Sequence, residues 1–187
     1  MMMLYSRVKK IWHVWRSQTE GIAAVEFAMV FPIMIMLLLG TVELGNGILA
    51  NQKVISSSQM VTDLLTRTEI VTDDQLAEAK RAGRLALAPF DPDLVGFDII
   101  SIRYDPDSAD ADEEPDPVIV WRNTDNMDAI PDITERVLPL ALDGDGLVVT
   151  YVRFPYEPPF ATRLVGNITM IEATFSRGRK SPVVERE

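Results

Sequence analysis

The hydrophobic pattern of the 187-residue chain divides it in two. From Phe27 to Val42 no residue is charged, and outward through Ile22 and Leu49 the apolar stretch is broken only by Glu26, Glu43 and Asn46. A bilayer core of about 30 Å needs about 20 helical residues, so this segment is long enough to span one. Beyond it, Val54, Val61, Leu64 and Leu65 recur at helical spacing, with Ser56, Ser57, Gln59 and Asp63 between them. The pattern predicts one helix from Ile22 to about Arg67, roughly 70 Å long at about 1.5 Å per residue. Thr72-Asp73-Asp74-Gln75 reads as a capping box opening a second helix, about Asp73 to Leu87, with Leu76, Ala79 and Leu87 on its apolar face and Pro89 ending it.

The remainder alternates with a period of two in short runs bounded by Pro, Asp and Gly. Strands are expected at Phe97–Tyr104, Pro117–Arg122, Leu147–Phe154 and Ile168–Phe175. In the first, Ile100 and Ile102 lie on the face opposite Arg103; in the third, Val149, Tyr151 and Arg153 alternate with Val148, Thr150, Val152 and Phe154. Short runs of this kind suit a small antiparallel sheet. The expected class is α+β: a long N-terminal transmembrane helix, then a small periplasmic domain with an antiparallel sheet packed on helices. The expected divisions are a basic leader (1–21), the transmembrane helix (22–49), a helical region (50–88) and an α+β head (89–187).

Charge orients this plan. The first 20 residues carry Arg7, Lys9, Lys10 and Arg16 against Glu20, whereas residues 44–187 hold 14 of the 18 basic and 25 of the 28 acidic groups. Basic residues before the span and an acidic domain after it predict a cytoplasmic N-terminus and an exported head, with Trp12 and Trp15 as interfacial anchors. A net charge of −10 argues against nucleic-acid binding. A cleaved secretory signal fits less well. Its apolar region would be shorter, and its nearest cleavage candidate, Ile48-Leu49-Ala50, has a bulky residue where a small one is expected.

Gly21, then Ala24-Val25-Glu26-Phe27-Ala28, Pro32 and Gly40-Thr41-Val42-Glu43-Leu44-Gly45 form a dense pattern ahead of and within the apolar helix. It resembles the TadE/TadG-like pseudopilins of the tight-adherence (Flp) type IV pilus system. The resemblance implies cleavage between Gly21 and Ile22 by a prepilin peptidase of the inner membrane, with Glu26 and Phe27 recognised by that enzyme. It implies a minor, assembly-promoting subunit whose partners are other pilins and pseudopilins and the inner-membrane assembly proteins, and which uses no cofactor. The Val148–Tyr156 strand looks like the family's C-terminal signature. The resemblance thins beyond residue 70.

The residues carry physical readings of their own. A carboxylate within a membrane-length helix is costly unless a cation neutralises it. For Glu26 that cation is the freed amine of Ile22, from a neighbouring subunit or, one turn away, from the same chain; a snorkelling or protonated side chain near the inner interface is the plainer alternative. Gly21 is either a flexible border residue or the point where a peptidase takes in bare backbone. Pro32 removes a backbone donor and crowds the carbonyl of Ala28, so a kink or local melting is expected there. Gly40, Gly45 and Gly47 thin the helix, and Glu43 is expected in solvent at the outer interface.

Two acidic segments raise calcium binding. In the loop from Asp105 to Asp116 an EF-hand's central glycine is missing and prolines interrupt, and Asp143-Gly144-Asp145-Gly146 lacks a third ligand. A solvated connection and a turn explain them more simply, so no metal site is expected. Pro155-Tyr156-Glu157-Pro158-Pro159-Phe160 reads as a Pro-rich loop exposing aromatics, a rim that covers the sheet or, less simply, a partner surface. No Cys occurs anywhere and the lone His13 lies in the leader, so no Cys–His or Ser–His pair exists beyond it. No nucleophile elbow or phosphate-cradling loop occurs either, and no enzyme is expected. A signal-anchored periplasmic binding module, calcium-dependent in one version, is the competing reading.

Overall fold

The computed structural model describes residues 20–105, 115–140, 145–162 and 166–187. The leader residues named above, the core of the acidic loop (106–114) and Asp143-Gly144 lie outside them. The chain forms two compact units, Met1–Leu44 and Gly45–Glu187.

Helix α1 runs Glu20–Leu65. From Gly21 to Val42 it is exposed on every side. Helix assignment is unbroken through Pro32. Polar residues in α1 are absorbed by the helix itself: Thr41 Oγ1 donates to Leu37 O (2.9 Å), Ser56 Oγ to Gln52 O (2.8 Å) and Thr62 Oγ1 to Ser58 O (2.8 Å).

In the second unit, α1 supplies Ala50, Val54, Val61 and Leu65 to the core. Two details differ from the sequence pattern. Leu64 is exposed, whereas Ser57, placed among the polar positions, is buried because its hydroxyl donates to Gly83 O of the next helix (2.8 Å). That helix, α2 (Asp73–Ala86), opens with the expected box: Gln75 N donates to Thr72 Oγ1 (3.3 Å) and Thr72 N to Gln75 Oε1 (3.1 Å). A cap of this kind contributes about 1 kcal/mol. A short strand, β1 (Ile70–Val71), precedes it.

The sheet comprises β2 (Gly96–Asp105), β3 (Asp116–Asp125), β4 (Gly146–Tyr156) and β5 (Ile168–Ser176) in the order β3-β2-β4-β5, every neighbouring pair antiparallel. The α+β class is as expected. Strand β3 is longer than its aliphatic run because it continues through polar Asn123-Thr124-Asp125 to stay paired with β2. A register shift opposite Ser101/Ile102 leaves Val120 as an extra residue, a bulge. Pro155 and Tyr156 belong to β4 and not to a loop, and Tyr156 is buried; of the aromatics assigned to that loop, only Phe160 is exposed.

The central strands β2 and β4 are buried on both faces. Phe97, Ile99, Val148, Val152, Phe154 and Tyr156 pack with α1 and α2. On the other face Ile100, Ile102, Tyr104, Leu147, Val149 and Tyr151 pack with Ile133 and Val137 of α3 (Ile133–Val137). The C-terminal strand β6 (Glu185–Arg186) pairs in parallel with β1. Just before it, buried Val184 uses its carbonyl to accept from Ser101 Oγ (2.6 Å) and Trp121 Nε1 (2.9 Å).

Candidate functional site

The sequence-derived candidates, Gly21, Ile22, Glu26, Phe27 and Pro32, all lie in the first three turns or so of α1, and each is exposed. Ile22 and Glu26 are four residues apart and share a helix face. Phe27 and Phe31 are likewise one turn apart, with ring centroids 5.3 Å from each other. No side chain lies within 4 Å of where a Cβ on Gly21, Gly40 or Gly45 would sit. Among the described residues Glu26 forms no ion pair. Glu43, expected in solvent, is half-buried.

Apolar side chains point in every direction from this stretch: Met29 and Met36 are each 73% exposed and Leu37 68%. A helix that is apolar all round belongs in lipid or among other apolar helices. Its length and its mean hydropathy of 2.5 over 18 residues suit a single membrane crossing. The weaker signal-peptide candidate falls in mid-helix, and its Ala50 is fully buried in the core of the second unit.

Residues 21–62 match the family model for TadE-like proteins. The matched span begins at Gly21 and covers the whole apolar stretch plus Ala50, Val54 and Val61, which α1 supplies to the second unit's core. The matched segment is thus the one whose residues carried the resemblance. No curated protein and no solved structure matches the chain.

The second unit's charges are arranged differently from those of the TadE-like segment. Asp98, fully buried on β2, accepts from Arg122 Nε (2.8 Å), from Arg122 Nη2 and from Ile130 N (2.8 Å), while Arg122 Nη2 also donates to Ile130 O (2.8 Å). The hydrogen bond to Asp98 raises the Arg122 pKa above its ordinary value, against the opposing effect of burial. Asp125 pairs with Arg84 (2.7 Å) and Lys80 (3.5 Å) of α2. Among the described residues no group of three or more His, Cys, Asp or Glu side chains is placed to hold a metal ion. The chain's residue pattern did not single out Asp98 or Arg122, because a cross-strand pair has no fixed sequence spacing.

Proposed function

We propose that the chain is a minor pseudopilin that promotes assembly of a tight-adherence pilus. It is inserted once in the bacterial inner membrane, N-terminus cytoplasmic and head periplasmic, and a prepilin peptidase cuts it between Gly21 and Ile22. It is a substrate and a subunit, with no catalytic role of its own. The observation that supports the reading is the family match starting at Gly21, over an apolar helical stretch broken only by Glu26, Glu43 and Asn46.

The chemistry follows from desolvation. An ionised carboxylate at lipid depth needs a cation nearby. Removal of the leader creates an amine at Ile22, and the amine of one subunit meeting Glu26 of another sets the register of adjacent helices. Phe27 contributes apolar contact and peptidase recognition, and Pro32 provides a point where the helix bends.

Mass spectrometry of the mature N-terminus tests this reading directly. The expected start is Ile22. A start at Met1 supports the anchored binding module instead, and a start at Asn51 a secreted domain. Gly21→Arg should leave the leader attached, and Glu26→Ala should reduce piliation without loss of membrane insertion. Normal trimming of the first variant or full piliation of the second removes the corresponding role.

A further inference from the structure

The four-stranded sheet ends in β3 on one side and β5 on the other, and the two edges differ. At β3, Pro117 lacks a backbone donor, the bulge at Val120 breaks the even spacing of the ladder, and Asp116, Arg122 and Asp125 place charges along the strand. Proline, bulges and charges are the devices that blunt an open strand edge. Strand β5 carries only a single charge, Glu172. It pairs with β4 residue for residue, from Val148 opposite Ser176 to Tyr156 opposite Ile168, with no bulge and no proline. Among the described residues, no backbone hydrogen bond outside the ladder with β4 involves β5.

The side chains of β5 suit a second strand beside them. Ile171 is 48% exposed and Phe175 41%. Both lie with Ala173 on the sheet face that carries Val149 and Tyr151. The Phe175 ring stands edge-on to Tyr151, 6.3 Å between centroids, so it is held in place before any partner arrives. On the opposite face Thr174 is tied to Ser58 of α1 through their hydroxyls (2.8 Å).

The sequence of β5 is complementary to itself in one register. In a two-fold antiparallel pair, facing residues share a sheet face, so the axis passes through a residue position. An axis at Glu172 opposes two carboxylates. One at Ile171 sets Phe175 against Asn167 and Glu172 against Met170, and one at Thr174 sets Ile171 against Arg177. An axis at Ala173 places the smallest side chain of the strand at the centre. Ile171 then faces Phe175 twice, Glu172 faces Thr174, Met170 faces Ser176, and no like charges meet. Aromatic and β-branched residues facing each other across strands are among the stabilising pairs.

We propose that β5 is a self-pairing edge: two copies of the chain join through antiparallel β5 strands about a two-fold axis at Ala173, merging their sheets into one. The contact is isologous, so it closes as a dimer. Both outer edges of the merged sheet are then β3, the blunted strand, which stops further addition. The pairing lies wholly within the second unit and goes beyond the pilus reading without resting on it.

The chain has no cysteine, so introduced thiols report single sites. In the full chain in detergent, mild oxidation should link Ala173→Cys into a disulfide dimer, because facing Cβ atoms lie about 4.5–5.5 Å apart. Ile171→Cys, although well exposed, should not link, because its symmetry mate would be about 14 Å along the strand. Ile171→Lys with Phe175→Lys opposes lysines across the axis and should raise the dimer dissociation constant by about tenfold or more in sedimentation. Ile171→Lys with Phe175→Glu loses the same apolar pairs but opposes unlike charges, and should dimerise about as well as the parent. Equal linking of Ile171→Cys and Ala173→Cys overturns the register. A dimer that persists unchanged in the double-lysine variant, as association through the apolar part of α1 would give, overturns the self-pairing edge, and so does a parent chain that stays monomeric with Ala173→Cys unlinked.

Discussion

Gly83→Ala sets two effects of known sign against each other. In a helix interior, alanine is favoured over glycine by about 1 kcal/mol, so an isolated α2 would gain. Gly83 is buried where α2 crosses α1, and a Cβ there would lie 2.5 Å from Val61 Cγ2 and 3.0 Å from Phe97 Cε1. Neither neighbour can yield easily. Val61 and Phe97 are fully buried, and a β-branched valine in a helix has one strongly preferred rotamer. Forcing a methyl into such packing costs about 1–3 kcal/mol. The shift also threatens the 2.8 Å bond from Ser57 to Gly83 O, worth about 1 kcal/mol. The expected balance is a net loss of about 1–2 kcal/mol, read as a lower midpoint with unchanged slope in urea unfolding of the full chain in detergent. The double variant Val61→Ala with Gly83→Ala makes room for the methyl and should be more stable than the summed single effects by about 1 kcal/mol. A Gly83→Ala protein at least as stable as the parent, or strictly additive effects, would show that the crossing is looser than these distances require.

Three other perturbations follow from buried polar groups. Arg122→Met strands the Asp98 carboxylate, which is fully buried, and should cost about 3–5 kcal/mol in the same unfolding measurement; a loss below 1 kcal/mol would mean that the Ile130 amide alone suffices. Thr150 is fully buried, and its Oγ1 has no hydrogen-bond partner among the described residues, so Thr150→Val should stabilise by about 1 kcal/mol; destabilisation would point to a partner for that hydroxyl. Burial raises the Tyr104 pKa above 10.0, with nearby Arg177 opposing it, and the hydroxyl donates to Val137 O (2.8 Å). A raised folded-state pKa means the unfolded chain loses its proton first, so this contribution is complete below pH 10 and is lost as pH rises through the higher folded value; Tyr104→Phe should flatten that alkaline decline, and an unchanged slope would count against the assignment.

Helices α1 and α2 were legible because their signals are local, whereas the five-residue α3 is too short to show a period. The 3.6-residue period, the Thr72–Gln75 box and Pro89 act within one turn of the residues they affect. Strand existence was legible for the same reason, since alternation needs no partner. What escaped was information held jointly by distant segments. The polar end of β3 is a strand because β2 runs beside it, and Tyr156 is buried because β4 continues past Pro155 to pair with β5. Ser57 enters the core because Gly83, 26 residues away, offers it a carbonyl. The two-residue pairing of β1 with β6 joins residues more than a hundred positions apart and has no pattern of its own. In the TadE-like segment the opposite holds. Everything its residues signalled lies within about 25 positions, and the family match falls on the same stretch.

That contrast bears on Glu26. In the second unit, carboxylates in or near the packed structure are accounted for within the chain: Asp98 by Arg122 and Ile130, Asp125 by Arg84 and Lys80, Asp63 by Arg67 and Arg179. Each is explained by folding alone. Glu26 is not. It sits on an apolar helix face, and among the described residues no cation neutralises it. A stability argument would replace it with leucine, because the segment around it is otherwise apolar and a charge at the edge of lipid only opposes insertion. Within the described residues its neutralisation is not supplied. On the proposed reading its cation is the amine that processing after Gly21 would free at Ile22 of a neighbouring copy.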